Sequence, residues 1–218
     1  MNSFIEYLKP TRLCDFDRNP EIKEKALQLS GKQLDKQQVF NHISHFVKEL
    51  PYGLDDWDVS ASQTLTLRKG WGMCSGKTNL LVAMLRLLSL PVRYRICKIE
   101  PEQELWKWLA EQDEQLASQL GIAPPEQDHV EAEVYLNGWK AYDPSRDSAF
   151  EEGLRKLGIP LERKPVTHVG GSPQSIILAS IDEWMQNRQR ARRFRQNREL
   201  VFSMVNEQLD KIRLLGKR

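Results

Sequence analysis

Cys74, His129 and Asp143 each sit in a local setting that suits nucleophilic catalysis. Cys74 lies in Gly70-Trp71-Gly72-Met73-Cys74-Ser75-Gly76-Lys77-Thr78, just before a long helical pattern. His129 opens the alternating stretch Val130-Glu131-Ala132-Glu133-Val134-Tyr135-Leu136, and Asp143 ends the next one, Trp139-Lys140-Ala141-Tyr142-Asp143. The thiolate is the nucleophilic form of cysteine, and a helix N-terminus or a neighbouring imidazolium lowers a thiol pKa from about 8.5 to roughly 3.5–7.5. Cys74 is placed for the first effect and His129 can supply the second. Asp143 would fix the imidazole tautomer and stabilise its charged form. The chemistry this points to is acyl transfer through a thioester.

A tetrahedral oxyanion needs donors. The backbone N–H of Cys74 falls in the first helical turn, where the helix itself offers no acceptor. Tyr52, Trp57 and Gln63 are candidates for a second donor, and the sequence does not choose among them. Trp71, Trp106 and Trp108 are candidate walls of a substrate cleft.

The bland readings stand beside these. A cysteine is often a buried structural thiol, an isolated strand histidine is ordinary, and an aspartate before Pro144 can simply form a turn. Each catalytic reading gains weight only from the other two residues. Cys97, inside an apolar strand, reads as core and Cys14 as incidental; His42 and His45 read as structural or surface residues. His168, in a Gly-rich loop, is the weaker alternative base. Gly76-Lys77-Thr78 resembles the end of a phosphate-binding loop, but that motif needs glycine five residues before Gly76, where Trp71 stands. Asp55-Asp56-Trp57-Asp58 lacks the spacing of a calcium loop, and no metal cluster or cofactor motif is evident.

The elements that must position these residues follow from periodicity. Asn19-Pro20 starts a helix, with proline where its missing N–H costs nothing. A second helix from about Asp35 carries Val39, Phe40, Ile43, Phe46, Val47 and Leu50 on one face and ends at Pro51-Tyr52-Gly53. Leu54–Trp71 reads as irregular, with a short alternating piece at Thr64-Leu65-Thr66-Leu67. A buried helix runs from Cys74 to about Ser89, and Val92–Ile99 alternates as a strand. Residues 100–128 read as an acidic insertion with one helical segment. Next comes a hairpin turned at Asn137-Gly138. Residues 146–175 read as loop-rich, and 176–218 as a helical extension of a domain spanning 1–175.

The hairpin poses a geometric demand. A two-residue turn at Asn137-Gly138 pairs Ala132 with Asp143. His129 would then lie three residues further on, about 10 Å at strand rise, and on the opposite face. The triad therefore requires a bulge or a longer turn between His129 and Asp143.

Bulk properties exclude other classes. The chain has 218 residues, is 40% hydrophobic and 28% charged, and carries a net charge of +2. This describes a globular protein with no general electrostatic case for nucleic acid. The apolar stretch Leu80–Val92 is too short for a bilayer span, and the start lacks a secretory signal. Three irregularly spaced cysteines do not make a disulfide framework, so a reducing cytoplasm is the expected compartment. Residues 176–218 hold ten Lys/Arg against five Asp/Glu; the run from Arg188 to Arg198 reads as a solvated helix face. Val201, Val205, Leu209, Ile212 and Leu215 form an amphipathic stripe. Docking on the chain's own core is its default use, and a homodimer through this helix is the alternative.

Together the three segments resemble the transglutaminase-like superfamily. The matching residues are Gly72-Met73-Cys74, then Lys77 and the helix leading to Leu90-Pro91-Val92-Arg93-Tyr94, His129 with Glu133, Trp139, and Asp143-Pro144-Ser145. The likeness spans roughly residues 20–146. It implies an α+β fold with a papain-like core, in which the nucleophile helix packs on an antiparallel sheet, with N-terminal helices before it and a long C-terminal helix after it. It implies Cys74 as nucleophile, His129 as general base and acid, and Asp143 as the orienting carboxylate. The substrate would be a peptide, a protein or a small amide, with water or an amine as acceptor. A family His-x-Trp is His129-Val130-Glu131 here, which puts a carboxylate where an aromatic often walls the site. A non-catalytic scaffold that keeps the fold is the alternative of a different class.

Overall fold

The computed structural model describes residues 4–31, 34–55, 59–66, 70–121, 125–166, 175–190 and 198–218. The centre of the fold is α4 (Cys74–Leu87), whose residues from Cys74 to Arg86 are all buried. A helix buried on every side must be covered on every side. Helices α1 (Pro20–Ser30), α2 (Lys36–Glu49) and α3 (Ala61–Thr66) cover one flank, and a sheet covers the other. The sheet is antiparallel with order β3-β2-β1-β4, made from β1 (Val92–Ile99), β2 (Gln127–Tyr135), β3 (Trp139–Tyr142) and β4 (Ser175–Leu178). Val92, Tyr94, Ile96, Val130, Ala132 and Val134 form its buried face and join the core around α4. The opposite face carries two cross-strand ion pairs, Arg93 to Glu133 at 2.6 Å and Arg95 to Glu131 at 3.0 Å; towards the far end of the strands Lys98 pairs with Asp128 at 2.7 Å. Directly opposed unlike charges of this kind support register. The fold class is the α+β arrangement expected from the sequence.

A second apolar core is built by α5 (Gln103–Gln112), α6 (Glu114–Leu120), α7 (Ser148–Lys156) and α9 (Arg198–Lys217); α8 (Asp182–Arg190) packs on the first core through Met185. The stripe Val201, Val205, Leu209 and Ile212 is buried here, so it is spent within the chain. Helices α7 and α9 approach backbone to backbone. A Cβ on Gly153 would lie 2.0 Å from the Ile212 carbonyl oxygen, and one on Gly216 would lie 1.8 Å from that of Ala149.

Several elements differ from the sequence reading. Thr64–Thr66 ends a helix rather than forming a strand: Thr64 is buried and its hydroxyl turns back to Ser60 O. The insertion holds two helices, separated by Asp113, whose carboxylate accepts the N–H of Leu116 and so caps α6. Helix α7 occupies the stretch read as loop, started by an Asp147 cap on Phe150 N. The boundary expected at 175/176 falls at the start of β4, which pairs with β1 inside the sheet. No helix among the described residues is long and apolar enough to cross a membrane.

Candidate active site

The hairpin meets the demand set by the triad. Tyr135 pairs with Trp139 and Ala132 with Tyr142, so the turn holds three residues, Leu136-Asn137-Gly138. Gly138 takes φ +133, a region that favours glycine. The extra turn residue shifts the register by one. Asp143 now follows the partner of Ala132 and comes level with Glu131, two residues from His129 and on the same face.

Strand β3 ends at Tyr142, while β2 continues back to Gln127. The start of α4 fills the edge that β3 leaves. In an antiparallel strand a residue's N–H and C=O point to the same side, and both groups of Val130 turn to α4. Its C=O accepts from Thr78 Oγ1 at 3.0 Å, and its N–H bonds the Cys74 sulfur. His129, one residue earlier, thereby comes beside Cys74 and hydrogen-bonds its sulfur. His129 Nε2 lies 3.0 Å from Asp143 Oδ2, which leaves Nδ1 for the thiol. The contact with Asp143 is close but oblique, since the ring N–H does not point along it.

The electrostatics follow from this contact set. Burial would raise the Cys74 pKa, but the bond and charge of His129, the Val130 N–H and Arg163 outweigh it and bring the thiol below its ordinary value. Burial would discharge His129, but the close contact with Asp143 and the bond to Cys74 hold its pKa up at about 9. Burial likewise disfavours ionised Asp143, and His129, Arg163 and the Ser145 side chain more than offset it, so the carboxyl stays well below the usual range. The arrangement therefore favours a thiolate–imidazolium pair backed by a carboxylate.

Arg163 was not singled out from the sequence. Its Nη1 donates to Asp143 Oδ2, the oxygen that also faces His129, and to Ser145 Oγ at 2.8 Å. Its Nε donates to Glu102 Oε1 at 3.1 Å, and Arg146 donates to the same oxygen. Glu102 immediately precedes α5, so the insertion reaches the site through a carboxylate. Trp106 and Trp108 instead pack against the second core, and the cavity beside Trp71 is lined without them. Glu131 is engaged by Arg95 and by the Cys97 thiol at 3.3 Å, so its charge does not stand free.

Of the oxyanion candidates, Tyr52 lies at the site. Gly53 N donates to Gly72 O at 3.2 Å and Gly72 N to Pro51 O at 3.1 Å, which lays the Tyr52 segment alongside the turn before Cys74. Burial raises the Tyr52 pKa, as do the nearby charges of Cys74 and Glu102, so its hydroxyl stays protonated and able to donate. Gln63 is exposed and its side chain accepts from Ser60 N, which turns it onto its own helix start. Trp57 and His168 lie outside the described residues. Met73, as N-cap, offers no side-chain acceptor, and Cys74 opens the first turn, whose N–H groups have no partner within the helix. Trp71, Tyr52, Gly53, Leu54 and Asp55 meet Phe202, Asn206 and Asp210 of α9 around a cavity of about 610 Å³. Among the described residues no group of His, Cys, Asp and Glu could hold a metal ion.

No curated protein matches the chain. Among solved structures, it is similar to a Cytophaga hutchinsonii protein described as a candidate cysteine protease, with 19% identity and a TM-score of 0.48. That match covers 83% of this chain and 52% of the other, so this chain spans about half its length. The model of the transglutaminase-like superfamily matches residues 23–144, a stretch holding Cys74, His129 and Asp143 and more than half of the chain, and the chain therefore belongs to the transglutaminase-like superfamily.

Proposed function

We propose that this protein is a cysteine enzyme that cleaves or transfers acyl groups at amide or peptide bonds through a thioester on Cys74. The observation that carries the reading is the Cys74–His129–Asp143 chain, with a buried cysteine at a helix start and a buried imidazole held protonated between that thiol and a half-buried carboxylate. The Cys74 thiolate attacks the substrate carbonyl and forms a C–S bond. The carbonyl π electrons move to oxygen, where the Cys74 N–H and the Tyr52 hydroxyl serve as donors. His129 then gives its proton to the leaving nitrogen as the C–N bond breaks, and the amine departs. A water or a second amine attacks the thioester, His129 accepts its proton, and the thiolate leaves. Asp143 holds the ring in place through both halves and stays ionised. The intact set argues against a non-catalytic scaffold.

The test is trapping. The protein is incubated with peptide amides and small amides, quenched in acid and weighed intact. The expected result is an acyl adduct on Cys74 that hydroxylamine removes and that Cys74→Ala lacks. If no substrate forms an adduct, and Cys74 in the folded protein alkylates no faster than in denatured protein, the reading is wrong.

A further inference from the structure

Lys77 is fully buried and its ammonium meets three backbone carbonyls: Lys48 O at 2.9 Å, Leu50 O at 2.5 Å and Ser145 O at 2.9 Å. Three donors are thus matched by three acceptors. Two of these acceptors lie at the end of α2, where the helix leaves carbonyls without partners and its dipole favours a cation. The third lies two residues beyond Asp143. Lys77 is itself three residues after Cys74, one turn along the same helix. The next residue, Thr78, donates to Val130 O, beside His129. The residue before, Gly76, leaves room for Thr64 Oγ1, which would sit 3.0 Å from a Cβ there.

We infer that Lys77 is a positioning residue for the Cys74 reaction, and that Lys77 and Thr78 together set the spacing of Cys74, His129, Asp143 and Tyr52. The phosphate-loop likeness of Gly76-Lys77-Thr78 then has a structural meaning unrelated to nucleotides. One rigid turn of α4 grips the chain next to every other member of the site: Leu50 two residues before Tyr52, Val130 one after His129, and Ser145 two after Asp143. The loop after Asp143 is held a second time by Lys48, whose Nζ donates to Arg146 O at 2.9 Å and to Glu151 Oε1 at 2.9 Å. A lysine is a costly choice for an interior. Burial pushes its pKa down to about 7, with Lys48 and Arg213 adding to the fall and Asp147 and Asp143 opposing it. An apolar side chain would avoid that cost but leave three carbonyls unpaired and the segments untied.

This inference rests on Cys74 being the nucleophile, and the experiment separates the two claims. Alkylation of each cysteine by iodoacetamide is followed by mass spectrometry from pH 5 to 10 in wild type, Lys77→Gln, Lys77→Met and Thr78→Val. Ile22→Val, a core change in α1 away from the site, serves as a control for lost stability. Lys77→Gln keeps two N–H donors on a shorter arm and is the variant that decides the matter if Lys77→Met fails to fold. The expected result is a tenfold or greater slowing of Cys74 in Lys77→Gln at pH 7, with its onset displaced to higher pH. Thr78→Val should change in the same direction and Ile22→Val should keep the wild-type profile. A folded Lys77→Gln with the wild-type rate and profile overturns the positioning role while the nucleophile stands. A wild-type Cys74 no faster than in denatured protein overturns both.

Discussion

Asp143→Asn keeps the shape of the side chain and removes its charge. In the native protein His129 is held at about 9, against an ordinary value of 6.5. At 1.36 kcal/mol per tenfold, that is a preference for the imidazolium of about 3 kcal/mol. Burial pulls the other way, so the partners supply more than this net amount, and the contact with Asp143 comes ahead of the bond to Cys74. Losing the carboxylate should drop His129 to its ordinary range or below. Arg163 adds to the fall, because its positive charge would then face the ring without Asp143 between them. The ratio of the thiolate–imidazolium pair to the neutral thiol–imidazole pair should fall by about 10²-fold or more. Turnover should fall further, toward the 10⁴-fold loss that the same substitution causes in a serine protease triad, because the ring also loses its orientation. The assay is the alkylation rate of Cys74 from pH 5 to 10. In wild type, reactivity should rise through a pKa below that of a free thiol, and acyl transfer should fade as the imidazolium is lost near pH 9. The other thiols are built-in controls: burial pushes Cys14 up to about 11, and burial with Glu131 pushes Cys97 to about 12, so neither is thiolate at neutral pH. An Asp143→Asn protein whose Cys74 alkylates within threefold of wild type over the whole range would refute the reasoning.

Two further predictions concern the surroundings of the triad. Arg163→Met removes the second partner of Asp143 and one of the two arginines on Glu102. Breaking a buried charge set in this way should cost about 3 kcal/mol, read by chemical denaturation. Because Arg163 lowers the Cys74 pKa, the onset of alkylation should also move to higher pH, and an unmoved onset would limit Arg163 to stability alone. Gly153→Ala drives a methyl group against the Ile212 carbonyl and must part α7 from α9; overpacking of this kind costs about 1–3 kcal/mol or more, and a melting temperature equal to wild type would show that the two helices do not meet as described.

The legible part of the site was the part with local signals. A thiol before a strong helical run, a histidine leading an alternating stretch and an aspartate before proline each mark a place on an element, and alternation alone required a bulge or a longer turn between the last two. The turn length itself was not legible, because Asn137-Gly138 is also the favoured pair for a two-residue loop and only packing decides that Leu136 joins it. Arg163 and Glu102 were missed because charges in irregular segments carry no periodicity and are identified only by what they meet. Helix α7 was missed because it buries only Phe150, Gly153 and Leu154 in nine residues, and a central glycine reads as a breaker until the close approach of α9 explains it. Strand β4 is four residues long and mostly exposed, so neither length nor alternation marks it.

The C-terminal third is no appendage to the chemistry. The superfamily match ends at residue 144, yet the residues that hold Tyr52 and Asp143 in place lie largely beyond it. Asp147 accepts Tyr52 N at 2.9 Å and caps α7, and it pairs with Arg213 of α9 at 3.1 Å, both side chains being buried. Arg213 reaches on to Tyr52 O at 2.6 Å, while Asn206 bonds both backbone groups of Leu54, at 2.6 and 2.9 Å. A segment held by α9 on one side and by the Gly72 turn on the other cannot move without disturbing both. The same residues of α9 line the cavity beside Trp71. Cys74, His129 and Asp143 thus lie within the superfamily stretch, whereas one wall of the cavity beside Trp71 and the frame behind Tyr52 are made by α9, which lies wholly past its end. Differences in substrate between this chain and its relatives should accordingly be sought on α9 and in the loop carrying Arg163.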